Sequence, residues 1–251
     1  MNKWKESELV RSLVGFFLLF LLFIGLFIFV VPSTHQSSKI AEKIKSIKNE
    51  KVTYVAIGDS LTQGVGDRSN QGGFVPVLSQ ALESDFDWQV TSRNYGIAGN
   101  TSNQILKRMQ EKKDIQRDLK KAKVMTLTVG GNDVIHVIKD NITNLNVDTF
   151  TKPAQAYQKR LGQIIELARK DNKTLPIYIV GIYNPFYLNF PEMTEMQTIV
   201  DNWNQSTEEV CKKYDNVYFV PVNDLLYKGI DGKGGVTSSD DTSQSSNSSQ
   251  G

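Results

Sequence analysis

The sequence predicts an α/β fold: a three-layer α/β/α sandwich around a parallel five-stranded sheet, preceded by one transmembrane helix. Three observations carry this reading. Five short apolar runs recur along the chain, each leading into a loop. Between them lie longer segments whose apolar residues repeat at helical spacing, and strands that alternate with helices pair in parallel with helices on both faces of the sheet. Ahead of them all, Leu13 to Val31 carries no charge and is nearly all Leu, Phe, Ile or Val. About 20 such residues cross a bilayer core as a helix.

The N-terminal run reads as an anchor rather than a cleaved signal, because it ends in Val30-Val31-Pro32 without a small-residue cleavage pattern. Lys3, Lys5 and Arg11 precede it, so the positive-inside tendency holds residues 1–12 in the cytoplasm and sends the rest of the chain outside. Residues 13–31 are then the membrane anchor. Residues 32–50 are polar and Lys-rich, with Ile40, Ile44 and Ile47 at helical spacing, and read as a stalk.

The domain is expected over 51–235. Val52 to Ile57 is the first strand, ending at Gly58, and Phe74, Val77, Leu78, Ala81 and Leu82 mark an amphipathic helix after it. Trp88 to Ser92 is the second strand. Ile105, Leu106, Met109, Ile115 and Leu119 lie in a highly charged stretch that reads as a solvated, broken helix. Val124 to Val129 is the third strand, Pro176 to Val180 the fourth and Val217 to Val220 the fifth. Helices are expected around Ala154 to Ala168 and Met193 to Trp203. Residues 236–251 hold almost nothing that can be buried and are expected to be a disordered Ser-rich tail.

Composition excludes several functions. Lys and Arg total 29 against 27 Asp and Glu, a net charge of +2, and no basic stretch is interleaved with aromatics. Nucleic acid is therefore not an expected partner. The single cysteine, Cys211, excludes an intrachain disulfide and any cysteine-based zinc site, and reads as a small buried apolar residue on a helix.

The chemistry is expected in three loops, each following a predicted strand. In open α/β sheets ligands bind beyond the carboxyl ends of the strands, so these loops converge on one edge. The first, Gly58-Asp59-Ser60-Leu61-Thr62-Gln63-Gly64, lacks the lysine of a phosphate-binding loop. It reads either as a helix-capping turn or as a nucleophilic serine at a helix N-terminus, with Ser60 the candidate. The second, Asn94-Tyr95-Gly96-Ile97-Ala98-Gly99-Asn100-Thr101, reads as a tight turn. The third, Gly130-Gly131-Asn132-Asp133, reads as a turn before a helix, where an asparagine amide can also donate into a site.

Together the three loops resemble the blocks of the GDSL, or SGNH, hydrolase family. The resemblance runs from about Lys51 to Leu226. It extends to Gly72-Gly73-Phe74-Val75-Pro76 and Tyr183-Asn184-Pro185-Phe186, which are similar to stretches of membrane-anchored lipases and acylhydrolases from Gram-positive bacteria. It implies the flavodoxin-like SGNH fold and hydrolysis of an ester or thioester through an acyl-serine. Ser60 would be the nucleophile, Gly99 the backbone oxyanion donor and Asn132 the side-chain donor. No metal or organic cofactor is implied. The substrate would be a small-molecule, lipid or glycan ester, with the aromatics of Tyr183 to Phe190 lining its pocket or packing on the last helix.

At one place the chain departs from the family. The Asp-x-x-His block expected after the fifth strand, which supplies the general base, does not occur in Pro221-Val222-Asn223-Asp224-Leu225-Leu226 or in the Ser-rich residues beyond it. The only histidines are His35, in the stalk, and His136, four residues after Asn132, which can share a helix face with that asparagine but reads as a solvated or packed histidine rather than the base. The reading is therefore an extracytoplasmic esterase whose histidine lies beyond this chain, leaving residues 1–251 poorly active. The alternative is an inactive domain serving as a surface binding module.

Overall fold

The computed structural model describes residues 50–68, 71–141, 143, 146–185, 187 and 194–228. Among these no helix is long and apolar enough to cross a membrane. The anchor expected at 13–31, the stalk up to residue 49 and the tail at 236–251 all lie outside the described residues.

The compact unit that carries the sheet begins at Lys51. Its strands are β1 (Lys51–Gly58), β2 (Gln89–Gly96), β3 (Ala122–Thr128), β4 (Ile177–Val180) and β5 (Val217–Val220). They pair in the order β2-β1-β3-β4-β5, with every pair parallel. The helices are α1 (Ser60–Gln63), α2 (Phe74–Phe86), α3 (Ser102–Glu111), α4 (Lys113–Lys121), α5 (Gly131–Asp140), α6 (Thr151–Ala168), α7 (Thr194–Cys211) and α8 (Asn223–Lys228). A 3-10 turn, Val147–Phe150, leads into α6.

Strand alternation divides the core. Val55 and Ile57 of β1, Met125 and Leu127 of β3, and Ile177 and Ile179 of β4 point to one face. There they pack with Ile105 and Met109 of α3, Leu161 and Ile164 of α6, and Ile199 and Trp203 of α7. Tyr54, Ala56 and Val124 point to the other face, under Val75, Leu78 and Leu82 of α2. Burial on both faces is why β1 and β3 are mostly apolar, as central parallel strands are.

The two faces are not equally covered. Tyr178 of β4 and Tyr218 of β5 stack on each other with centroids 5.0 Å apart and stay 38% and 46% exposed. The expectation of helices on both faces therefore holds over β1, whereas β4 and β5 carry an open aromatic pair. β2 also differs from its sequence reading, beginning at Gln89 and running on to Gly96. It is an edge strand with both faces largely exposed, so hydrophobicity did not mark Arg93 and Asn94 as strand residues. The charged stretch is indeed broken, α3 ending and α4 starting around Lys112. Cys211 is buried on α7, and burial pushes its thiol up to about 11.

Candidate active site

The carboxyl ends of β1, β2, β3 and β4 meet at one edge, and the first loop there is fixed from within. The Asp59 side chain caps α1 by accepting from the Leu61 N–H at 3.1 Å. Thr128 at the end of β3 donates its hydroxyl to Asp59 Oδ1 at 2.8 Å and accepts the Asp59 N–H at 3.2 Å. The Thr62 hydroxyl lies 2.8 Å from the same Thr128 oxygen. Asp59 is 5% exposed, and its burial raises the carboxyl above the usual carboxylate range against the pull of these hydrogen bonds. The network holds Ser60 half-buried at the first position of α1, where backbone N–H groups lack helical partners.

The second loop is tied to the first and third. Ile97 donates its N–H to the Gly58 carbonyl at 3.0 Å, and Ala98 donates to Gln63 Oε1 at 2.6 Å. Asn94 Nδ2 donates to the Thr62 carbonyl at 2.7 Å. On the other side, Asn132 Nδ2 donates to the Asn100 carbonyl at 3.0 Å. An amide nitrogen carries two hydrogens, so one remains for a ligand. Asp133, next in sequence, is buried and accepts from the Ser102 N–H at 2.8 Å and the Ser102 hydroxyl at 2.5 Å. Arg160 of α6 closes the network, donating to Ser102 Oγ at 2.7 Å and to Asp133 at 3.2 Å.

The third loop turns at Gly130, whose φ of 110° favours glycine. A Cβ there would also lie 2.7 Å from Trp203 Nε1. α5 begins directly after it and presents two different faces. Gly131, Asn132, Ile135 and Ile138 line a cavity of about 190 Å³ together with Ser60. Val134, Ile182, Met196 and Val200 make that cavity mainly apolar, and Tyr183 is part of its wall. Asp133, His136, Val137 and Asp140 line a separate surface cleft with Arg160.

The structure thus brings Ser60 and Asn132 to one cavity, whereas His136, one turn after Asn132 on α5, lines the neighbouring surface cleft instead. Gly99 does not line the cavity: it sits exposed, with nothing within 4 Å of an ideal Cβ, in the loop that Asn132 holds through Asn100. The described aromatics of the loop from Tyr183 divide between two surroundings. Tyr183 faces the cavity, whereas Tyr187 packs on Tyr227 of α8 at a centroid distance of 4.6 Å. Phe186 and residues 188–190 lie outside the described residues. Asn184 is buried between them, its N–H donating to Asn223 Oδ1 at 3.0 Å and its carbonyl accepting the Tyr227 hydroxyl. Among the described residues no group of His, Cys, Asp or Glu side chains is placed to hold a metal ion.

Thr128, Ser102 and Arg160 were missed by sequence reasoning. Thr128 stands at the end of a strand, as loop-forming site residues do, and that position was its one signal. Ser102 and Arg160 gave none, since their partners come from other elements.

The GDSL-like lipase/acylhydrolase family matches residues 56–241. The chain is 32% identical over 201 residues to the uncharacterized protein YpmR of Bacillus subtilis (strain 168), covering 79% of this chain and 78% of that protein. It is 30% identical over 183 residues to the spore germination lipase LipC of Bacillus licheniformis, covering 70% of this chain and 82% of that one. Among solved structures, the lipase Lip_vut3 from a goat rumen metagenome shares the fold, with a TM-score of 0.62 at 22% identity over 72% of this chain and 88% of that one. With the family match spanning most of the sequence and the three loop blocks meeting at one sheet edge, the chain belongs to the GDSL-like lipase/acylhydrolase family.

Proposed function

We propose that the protein hydrolyses a carboxylic ester of an apolar acid through an acyl-Ser60 intermediate, on the outer side of a membrane. The observation that carries this is the single cavity that holds Ser60 and Asn132 against Val134, Ile138, Met196 and Val200. Apolar walls favour a lipid acyl chain over the acetyl group of a glycan, because burying each further methylene contributes about 0.8 kcal/mol. The similarity to the spore germination lipase of Bacillus licheniformis supports the same substrate class.

In this mechanism the Ser60 hydroxyl attacks the ester carbonyl. The Ser60 N–H and the free hydrogen of the Asn132 amide then receive the negative charge on its oxygen; Gly99, the backbone donor that the family resemblance implies, lies in the loop that Asn132 holds through Asn100. Donors aimed at developing charge in a dry site stabilise the transition state, and losing one costs roughly 100-fold to 1000-fold in turnover. The alcohol leaves, and water releases the acid from Ser60. A base must take the Ser60 proton, and His136 faces a different cleft. The chain of residues 1–251 is therefore expected to turn over esters slowly, since an unassisted serine hydroxyl is a weak nucleophile.

Residues 13–31 would anchor the protein, with 1–12 in the cytoplasm, 32–50 as a stalk, the hydrolase domain over 51–235 outside and 236–251 as a disordered tail. The uncharged run and the Lys3, Lys5 and Arg11 flank support that order. It is the order expected of the membrane-anchored type of the family.

A serine-directed fluorophosphonate tests the chemical part. In a form of the protein that carries its histidine, labelling should disappear in Ser60→Ala and persist in His136→Ala. Labelling that survives Ser60→Ala would refute the assignment of the nucleophile, and labelling abolished by His136→Ala would make that histidine the base.

A further inference from the structure

The carboxyl ends of β1 and β2 separate just where the reaction needs two loops at a fixed distance. The strands pair through their last residues, Gly58 opposite Gly96. Beyond that rung β1 leads to Asp59 and Ser60, and β2 leads to Ile97, Ala98 and Gly99. Only the Ile97 N–H continues the ladder, to the Gly58 carbonyl. Arg108, in the last turn of α3, reaches this fork from behind. Its Nη1 and Nη2 both donate to the Tyr95 carbonyl at 3.1 Å, and Nη2 also donates to the Gly58 carbonyl at 3.3 Å. The side chain pairs with no carboxylate among the described residues, and its buried Nε has no partner.

A part-buried guanidinium without an ion-pair partner is costly. Fold stability gives little return for it, because β1 and β2 are already paired from Lys51 opposite Gln89 to the end. What the guanidinium adds is a rigid planar fork with several donors in one plane, which a lysine cannot reproduce. That fork spans the two carbonyls from which the nucleophile loop and the second loop diverge. We propose that Arg108 is a positioning residue for the reaction, clamping the Gly58 and Tyr95 carbonyls so that Ser60 at the start of α1 and the second loop, which Asn132 holds through the Asn100 carbonyl, keep a fixed separation. The proposal rests on Ser60 being the nucleophile.

The test uses the full chain and compares wild type, Arg108→Gln, Arg108→Lys, Arg108→Ala and, as a control on the same helix, the exposed Lys107→Ala. Read-outs are the rate of fluorophosphonate labelling, residual hydrolysis of a p-nitrophenyl ester and the melting temperature. Misplacing reacting groups by an ångström costs on the order of 100-fold. Arg108→Gln should therefore slow labelling and kcat by about 10-fold to 100-fold, with KM and melting temperature nearly unchanged. Arg108→Lys should recover only a small part, and added methylguanidinium should partly restore Arg108→Ala. Lys107→Ala should match wild type. Equal rates in wild type and Arg108→Gln would overturn the proposal, as would a loss that only follows the unfolded fraction. If wild type is labelled and the label survives Ser60→Ala, the reading of Ser60 fails separately; if wild type is too slow to label, amide exchange carries the test alone. Amide hydrogen exchange at Ile97 and Ala98, whose N–H groups are bonded to the Gly58 carbonyl and to Gln63, then judges the clamp: faster exchange in Arg108→Gln upholds it, and unchanged exchange refutes it.

Discussion

Gly58 has no room for a side chain: an ideal Cβ would lie 2.2 Å from Thr128 Oγ1 and 2.7 Å from the Thr128 carbonyl. Overpacking of this kind costs about 1–3 kcal/mol or more, and here the strained atoms also hold Asp59. Gly58→Ala should lower the unfolding free energy measured in urea by an amount in that range and abolish serine labelling even where the protein remains folded. Asp59 leads to a prediction about pH. Its carboxyl is raised by burial, so the folded state holds the proton more tightly than the unfolded state does. Such a group favours the fold most below the ordinary carboxylate pKa of about 3.9. That advantage is lost as pH rises through the raised folded value. Asp59→Asn removes this titration and leaves an amide oxygen to cap α1. The stability difference, wild type minus Asp59→Asn, should therefore shrink as the pH is taken from 4 to 7 in urea unfolding. A difference that grows would mean that the ionised carboxylate is the stabilised form.

At the scale of elements, α5 decides what the site contains. Its turn at Gly130 sends Asn132, Ile135 and Ile138 to the Ser60 cavity and Asp133 and His136 to the other side. Asp133 fastens the helix to α3 through Ser102 and to α6 through Arg160. Arg160→Met would leave that buried carboxylate with Ser102 alone. Arg160 is partly exposed and water takes up some of the loss, so the expected cost is about 2 kcal/mol. Because Asn132 hangs on the same joint, the labelling rate should fall as well, and a drop in stability with labelling unchanged would show that the joint does not reach Asn132. Facing α5 across the cavity, α7 contributes Met196 and Val200. Val200→Phe fills the cavity, so hydrolysis of p-nitrophenyl octanoate should fall relative to the acetate. A chain-length profile identical to wild type would place the acyl group elsewhere.

For the whole molecule, the proposed topology predicts that protease added to protoplasts removes the hydrolase domain from intact cells, whereas full protection would place it in the cytoplasm. The five strands and the three loops at their carboxyl ends were legible in the sequence. Apolar runs between helical periodicities leave few parallel arrangements, and the block residues Ser60 and Asn132 are local in sequence. β2 was read only in part because an edge strand need not be apolar, and α8 passed unnoticed because it is short and half exposed. The sequence by itself thus determined the α/β class, the order of elements and the serine and asparagine that meet at the sheet edge. It did not determine which way His136 faces or that Gly99 stays outside the cavity. Nor did it show that Thr128, Arg108 and Arg160 fix the loops, or that β4 and β5 leave Tyr178 and Tyr218 uncovered. Each of these depends on contacts between residues far apart in the chain. Local propensity and periodicity carry no record of such partners, so only the packed tertiary structure decides them.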